Sequence, residues 1–104
     1  MASSWDLKNR ISTLVAAEHG TVRREAARRV ALAYPSPYHV GMSSLGFQTI
    51  YRLINQAQGW MAERTFLPDD VAEWRAARLP LLTYEGLREA GDADVLALSV
   101  AYEL

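Results

Sequence analysis

Apolar residues near the amino terminus recur with the spacing of one helix face. The stripe consists of Leu7, Ile11, Leu14 and Val15, with Trp5 as a candidate fifth member. Ser3 or Ser4 precedes it as a capping residue, and Gly20 follows it as a stop. The pattern predicts a leading helix that runs to about Glu18. The charged residues 21–29 then either extend this helix or form a second short one.

Three later segments have the character of strands. Residues 30–34 are apolar without alternation, which is typical of a strand buried on both faces, and Pro35 and Pro37 end it. Residues 60–67 alternate in part and predict a more exposed strand. Residues 95–101 form the most apolar run of the chain and predict a third strand.

Helical patterns separate these strands. Ser43 or Ser44 caps a helix that Gly59 closes. The inner face of that helix contains Phe47, Ile50, Tyr51 and Ile54. We interpret residues 69–70 as a turn and helix cap rather than as paired carboxylates, and Trp74 as a core anchor of the short helix that follows. Residues 80–83 predict an extended piece, and residues 85–90 predict one helical turn.

Strands that alternate with helices predict an α/β fold with a parallel sheet. Right-handed crossovers give the strand order 2-1-3, with residues 30–34 in the central strand and a helix ahead of the sheet. A doubly wound sheet has about five strands. We therefore expect a truncated three-layer, Rossmann-type fold whose apolar last strand is an open edge. Residues 1–27 form a helical segment in this interpretation, and residues 28–104 form a partial α/β domain.

Composition narrows the candidate chemistry. The chain has 104 residues, a formal net charge of −1 and no cysteine. Disulfides, iron–sulfur ligation by this chain and thiolate zinc sites are therefore excluded, and two histidines are too few for an all-histidine metal site. No apolar run approaches the roughly 20 residues of a membrane helix, and the start lacks a signal peptide. We expect a cytoplasmic protein without membrane contact.

Four arginines give the first third of the chain a basic character. They are Arg23, Arg24, Arg28 and Arg29. No aromatic residues are interleaved with them, so nucleic-acid binding is not expected. We expect them to form a solvated helix face or to contact a neighbouring domain.

A candidate ligand site follows from the predicted topology. Ligands of open α/β sheets bind beyond the carboxyl ends of the strands, where the strand order reverses. This rule selects the loop after the first strand and the end of the third strand. The candidate binding residues are Tyr38, His39, Gly41, Met42, Ser43, Ser44, Gly46, Ser99 and Tyr102.

Each residue type in that loop has a possible role in binding. Gly41 allows a positive φ or a close backbone approach, and Gly46 allows tight packing of helix on sheet. Ser43, Ser44 and free amides at a helix start can hold a phosphate or another polar group. His39 offers a titratable side chain. The same residues also suit a plain turn and cap, because the Lys-Ser/Thr of a P-loop is missing.

Several segments together resemble a known family. They are residues 29–35 (RVALAYP), 38–55 (YHVGMSSLGFQTIYRLIN), 62–68 (AERTFLP), 79–85 (LPLLTYE) and 94–104 (DVLALSVAYEL). This order of motifs resembles the amino-terminal domain of a bacterial radical S-adenosylmethionine (SAM) protein family, which carries a cobalamin-binding-like domain ahead of the radical domain. The resemblance implies a flavodoxin-like fold. It also implies that S-adenosylmethionine and the iron–sulfur cluster belong to a part of the parent protein outside this cysteine-free chain.

Cobalamin is the cofactor that the resemblance suggests. Domains that ligate cobalt through histidine use Asp-x-His-x-x-Gly, whereas this chain has Pro37 and Met42 around His39 where that motif has Asp and Gly. Any cobalamin would therefore be held by the loop backbone, without a histidine under the cobalt. The resemblance implies a non-catalytic cofactor platform or scaffold whose partners are the remaining domains of the parent chain.

Two other functions remain open at this point. One is a flavin- or nucleotide-binding module of the flavodoxin type without cobalamin. The other is a protein-interaction module that uses the leading helix and the exposed last strand, with a homo-oligomer as one outcome. A signalling receiver is not expected, because Tyr34, Pro35 and Tyr102 occupy the places where it needs acidic residues.

Overall fold

A computed structural model describes residues 2–99 of the chain. Its elements are α1 (Ser4–Ala16), β1 (Arg28–Tyr34), α2 (Tyr38–Met42), α3 (Leu45–Gln56), β2 (Trp60–Phe66), α4 (Val71–Ala76), a 3₁₀ turn (Ala90–Asp92) and β3 (Val95–Leu98). Within residues 2–99, no helix has both the length and the apolar character needed to cross a membrane.

The described strands form one parallel sheet in the order β2-β1-β3. Tyr34 pairs with Phe66, and Ala33 pairs with Leu98, so the carboxyl ends of the strands meet at one edge. The α/β class, the central first strand, the order 2-1-3 and the leading helix are therefore confirmed. The arrangement is that of a flavodoxin-like fold.

Helix α1 begins with a capping box. The Ser3 hydroxyl accepts a hydrogen bond from the Asp6 amide, and the Asp6 carboxylate accepts one from the Ser3 amide. The stripe then buries Leu7, Ile11 and Val15 in the core. Trp5 is 70% exposed, so its assignment to the stripe is wrong. It stands two residues before Leu7, roughly 200° around the helix axis, and therefore faces away from the core.

The prediction of helix over residues 21–29 is also wrong. The chain has no regular structure between α1 and β1 apart from bends and turns. The Tyr51 hydroxyl accepts from the Val22 amide at 2.9 Å and donates to the Val22 carbonyl at 3.1 Å, so these backbone groups are used by a side chain instead of a helix. This irregular segment carries the chain along α3 to the start of β1.

Helix α3 agrees with the prediction except in its inner face. The Ser44 hydroxyl caps it by accepting from the Phe47 amide at 3.2 Å. Phe47 and Tyr51 are buried as expected, but Ile50 is 43% exposed, and Asn55 is buried instead. Asn55 lies one turn after Tyr51, and its side-chain carbonyl accepts from the Ala62 amide at 3.0 Å. The polar side chain thereby joins α3 to β2.

Strand β2 is buried on both faces, contrary to the more exposed strand that its alternation predicts. The reason is the segment of residues 82–85, which runs along its outer edge. The Tyr84 amide donates to the Arg64 carbonyl at 2.8 Å, and the Thr65 hydroxyl donates to the Leu82 carbonyl at 2.9 Å. We call residues 82–85 the edge strap.

The region between β2 and β3 is mostly irregular. Trp74 on α4 is buried as expected, and an isolated bridge joins Leu82 to Glu89. The helical turn predicted over residues 85–90 is wrong, because the chain makes a turn at 84–86 and one 3₁₀ turn at Ala90–Asp92. The charged side chain of Glu85 faces the interior there instead of solvent.

Strand β3 lies at the opposite edge of the sheet from β2. Its burial pattern is exposed at three of four residues, with Leu96 at 56% and Leu98 at 62%. Within residues 2–99, only β1 pairs with it. The rest of the predicted third strand, including the candidate Tyr102, lies outside the described residues.

Candidate functional site

Tyr38 lies at the start of α2, just beyond the carboxyl end of β1. Its buried ring stacks on Tyr84, with centroids 5.4 Å apart and planes 7° apart, and meets Phe66 edge-on. Its hydroxyl donates to the Glu18 carboxylate. Burial and the adjacent Glu18 charge raise the pKa of the Tyr38 hydroxyl well above its usual value. The helix that carries Tyr38 is not predicted from the sequence, since five residues are too few to show a periodicity.

The two loop glycines have different surroundings. A Cβ atom added to Gly41 would lie 2.3 Å from the Phe66 ring, so the backbone of α2 approaches β2 closely at this residue. Gly41 has no positive φ. A Cβ added to Gly46 would meet nothing within 4 Å. The expectation that Gly46 permits tight packing of helix on sheet is therefore wrong, because this residue is exposed on the outer side of α3.

The polar groups of the loop are used locally. The Ser43 hydroxyl donates to the Val40 carbonyl at 2.7 Å, while the Ser44 hydroxyl serves as the cap of α3. The Met42 sulfur lies 3.3 Å from nitrogens of both Gln48 and Arg64. The contacts of the two serines are those of a turn and a cap.

The remaining candidates are separated from one another. The Ser99 amide donates to the Ala33 carbonyl at 2.8 Å, on the side of β1 away from β2. His39 is exposed, with its ring edge-on to Tyr38 at 5.4 Å. His39 and Tyr38 therefore face the β2 side of the carboxyl edge, and Ser99 lies on the other side.

A cleft of about 530 Å³ lies between α1 and the loops that follow β1 and β2. Tyr38 and His39 line it, whereas Gly41, Met42, Ser43, Ser44, Gly46 and Ser99 do not. Its other walls include apolar residues of α1, the charged Arg10, Asp69 and Asp70, and the aromatic rings of Trp74 and Tyr84. We call this cavity the α1 cleft. Most of its lining was not among the predicted site residues.

Sequence reasoning also missed a buried ionic cluster around Arg64. The Arg64 side chain is 1% exposed and lies 2.8 Å from the Glu18 carboxylate and 2.5 Å from that of Glu85. Its guanidinium stacks over the Tyr51 ring at 4.8 Å, and the Tyr51 hydroxyl donates to Glu85 at 2.6 Å. The cluster joins the end of α1, strand β2, helix α3 and the edge strap.

The acidic groups of this cluster have pKa values that are shifted in different directions. Burial raises the pKa of Glu85 even though Arg64 and Tyr51 donate to its carboxylate. Burial also opposes ionisation of Glu18, but hydrogen bonds from Arg64, Thr21 and Tyr38 outweigh it and lower the pKa of Glu18. The pKa of Tyr51 is raised by burial and by Glu85. The two carboxylates pair with Arg64 and the Tyr51 hydroxyl bonds to Glu85, so the cluster is structural in character.

The arginines near the amino terminus contact groups within the fold and lie on no helix, so the prediction of a solvated helix face is wrong, while the contact to a neighbouring domain stays a prediction. Arg23 donates to the Glu85 carbonyl at 2.7 Å, and Arg24 donates to the Asn55 carbonyl at 2.6 Å. The other two contact β2: Arg28 lies over the Trp60 ring at 5.5 Å, and Arg29 lies 3.6 Å from the buried Glu63 carboxylate. Within residues 2–99, no group of three or more His, Cys, Asp or Glu residues could hold a metal ion.

The chain matches the family model described as "Radical SAM proteins, N-terminal" over residues 46–104. This range covers α3, β2, the edge strap and β3. No curated protein and no solved structure matches the chain.

Proposed function

Because this chain belongs to the N-terminal family of radical SAM proteins, we propose that it is a non-catalytic, cobalamin-binding-like domain that acts as a scaffold for the rest of such a protein. The sequence contains no cysteine, and the iron–sulfur cluster of radical SAM chemistry needs thiolate ligands. The chain therefore does not cleave S-adenosylmethionine by itself. Its contribution is structural and lies in the surfaces that its sheet presents.

The open edge at β3 is the observation that supports the scaffold role most directly. Leu96 and Leu98 share one face of the strand and are both more than half exposed. Soluble proteins usually blunt or cover an apolar edge strand of this kind. The matching family model is described as the N-terminal part of radical SAM proteins. We infer that other parts of the parent protein cover the edge.

The loop after β1 does not fit a bound cobalamin. The ring of Phe66 occupies the space next to Gly41, so α2 lies directly on the sheet. The Ser43 and Ser44 hydroxyls are engaged within the loop, and Ser99 lies on the far side of β1. A corrin edge and nucleotide tail would need free backbone and open space at this loop. These contacts favour a scaffold over a cofactor platform.

Mixing the chain with hydroxocobalamin tests this proposal. We expect the two to elute separately in size-exclusion chromatography and the visible bands of hydroxocobalamin to stay unchanged. Stoichiometric co-elution would overturn the scaffold proposal in favour of a cofactor platform. The His39→Ala variant then serves as the matched control, because co-elution that persists in that variant would fit binding by the loop backbone without a histidine under the cobalt.

A further inference from the structure

The α1 cleft has the dimensions of a small-molecule site. Its volume of about 530 Å³ falls within the range of roughly 300–1,000 Å³ typical of ligand pockets. It lies beyond the carboxyl ends of β1 and β2, where open α/β sheets place their ligands. Leu7, Ile11 and Leu14 of α1 form one apolar wall. The leading helix is therefore a part of the cavity as well as of the core.

The wall opposite α1 is aromatic and has polar groups available for a ligand. Trp74 and Tyr84 both line the cleft, and each is only 8% exposed. Among residues 2–99, neither the Trp74 indole N–H nor the Tyr84 hydroxyl has a hydrogen-bond partner, and neither is one of the fully buried atoms without a partner, so both are accessible to a ligand in the cleft. Tyr38 stacks on Tyr84 and extends the same aromatic surface.

The rim of the cleft carries more negative than positive charge. Arg10 forms ion pairs with Asp70 and with Glu73, so its single positive charge already faces two carboxylates. Asp69 has no ion-pair partner among the described residues. Burial and then the negative charge of Asp69 raise the pKa of Tyr84 to about 12, with Asp70 and Glu18 acting in the same direction. A cationic group entering the cleft would therefore be attracted.

We propose that the α1 cleft binds an organic ammonium ion with an apolar or aromatic body. The ammonium group pairs with Asp69 and lies over the aromatic rings, which attract cations through their negative faces. The Tyr84 hydroxyl accepts a hydrogen bond from it, and the apolar body packs against α1. This inference goes beyond the scaffold role and does not depend on it.

Nuclear magnetic resonance of the indole N–H groups tests the proposal. The chain has three tryptophans, and substituting each by phenylalanine assigns its signal. The probe is 2-phenylethylamine, which is protonated at neutral pH, and the neutral 2-phenylethanol has nearly the same shape. We expect a saturable shift of the Trp74 signal with the amine, little change at Trp5 and Trp60, and weaker binding of the alcohol.

Two aspartate variants distinguish specific binding in the α1 cleft from general attraction of a cation to an acidic surface. Asp69→Asn should weaken binding of the amine about fivefold, the effect of one nearby charge in a solvated site. Asp92→Asn is the matched control, because Asp92 is exposed and does not line the cleft. Equal binding of the alcohol, no saturable shift at Trp74, or equal losses in the two variants would overturn the proposal. An unchanged signal of Trp60, which packs against Arg28, shows that each variant is folded.

Discussion

The contact between Gly41 and the Phe66 ring determines how the loop after β1 lies on the sheet. A side chain at Gly41 would enter the space that the Phe66 ring occupies, and the Tyr34 Cβ would lie 3.4 Å away. The rings of Phe47 and Tyr38 in turn pack against Phe66, so the ring has little room to move. The absence of a side chain at Gly41 therefore makes room for the Phe66 ring and for the aromatic rings that pack against it.

Gly41→Ala should destabilise the domain by about 1–3 kcal/mol, the usual cost of an extra methyl group in a tightly packed core. Gly46→Ala is the matched control, because its added methyl meets nothing and alanine favours a helix. We expect the control to be neutral or to stabilise by up to about 1 kcal/mol. Urea unfolding followed by circular dichroism measures both. Equal stability of the two variants would show that Phe66 yields to the added group.

Residues with local partners were predictable from the sequence, and residues with distant partners were not. Ser44 caps α3 through a neighbour three residues away, so its role follows from the local pattern. Arg64 can be buried because its charge is paired with Glu18, which precedes it in the sequence, and with Glu85, which follows it. No local pattern distinguishes it from a surface arginine on a half-exposed strand. The candidate site suffers from the same limit, since α1 and the loop after β2 complete the α1 cleft.

The edge strap shows how a short irregular element can protect a strand. The Arg64 amide donates to the Glu85 carboxylate at 2.8 Å, and the Arg64 carbonyl accepts from the Tyr84 amide. A carboxylate oxygen and a backbone amide thus occupy the places of a neighbouring strand. The edge strap also holds the Arg64 guanidinium. The Glu85 carboxylate therefore accepts hydrogen bonds from both the backbone amide and the side chain of Arg64.

Glu85→Ala should destabilise the domain by about 3–5 kcal/mol, because the buried Arg64 charge then loses one of its two carboxylates. The amide proton of Arg64 should also exchange faster with deuterium, since its acceptor is gone. Glu89→Ala is the control, because Glu89 is exposed and forms no ion pair among residues 2–99. Exchange at Arg64 that is unaffected by Glu85→Ala would contradict the role of the edge strap.

The prediction of a helix or strand is confirmed where a single apolar helix face or a single apolar run determines the element. The apolar run of β1 and the helical spacing of α1 each imply their element without help from the rest of the chain. Residues 21–29 favour helix by composition, yet Arg23 and Arg24 bond to carbonyls of distant residues, and the segment forms no helix. The burial of β2 depends likewise on the edge strap, whose side-chain hydrogen bonds to β2 join residues 17 and 21 positions apart in the sequence.

The two edges of the sheet are unlike at the scale of the whole molecule. The β2 edge is covered by the edge strap, while β3 presents exposed leucines and unpaired backbone among the described residues. Strand order and open edge were predictable, because right-handed crossovers leave few alternatives for three parallel strands. The cover over the β2 edge was not predictable, since the edge strap has no strand pattern of its own.

Replacing Leu96 and Leu98 together by lysine should abolish self-association of the chain, because lysine on an edge strand prevents pairing. We expect the unsubstituted chain to elute as a concentration-dependent oligomer in size-exclusion chromatography with light scattering, and the double variant to elute as a monomer. Leu53→Lys is the control, because Leu53 is equally exposed but lies on α3. A monomeric unsubstituted chain would show that β3 needs a partner other than itself.

Glu85 affects how copies of this domain can pair through the edges of their sheets. A protein with two free sheet edges can add molecules at both ends without limit and so grow into a fibril. Here the carboxylate bonded to the Arg64 amide seals one end, so two copies joined through β3 would form a closed pair with a two-fold axis. Glu85 thereby limits assembly through the sheet edges to two copies.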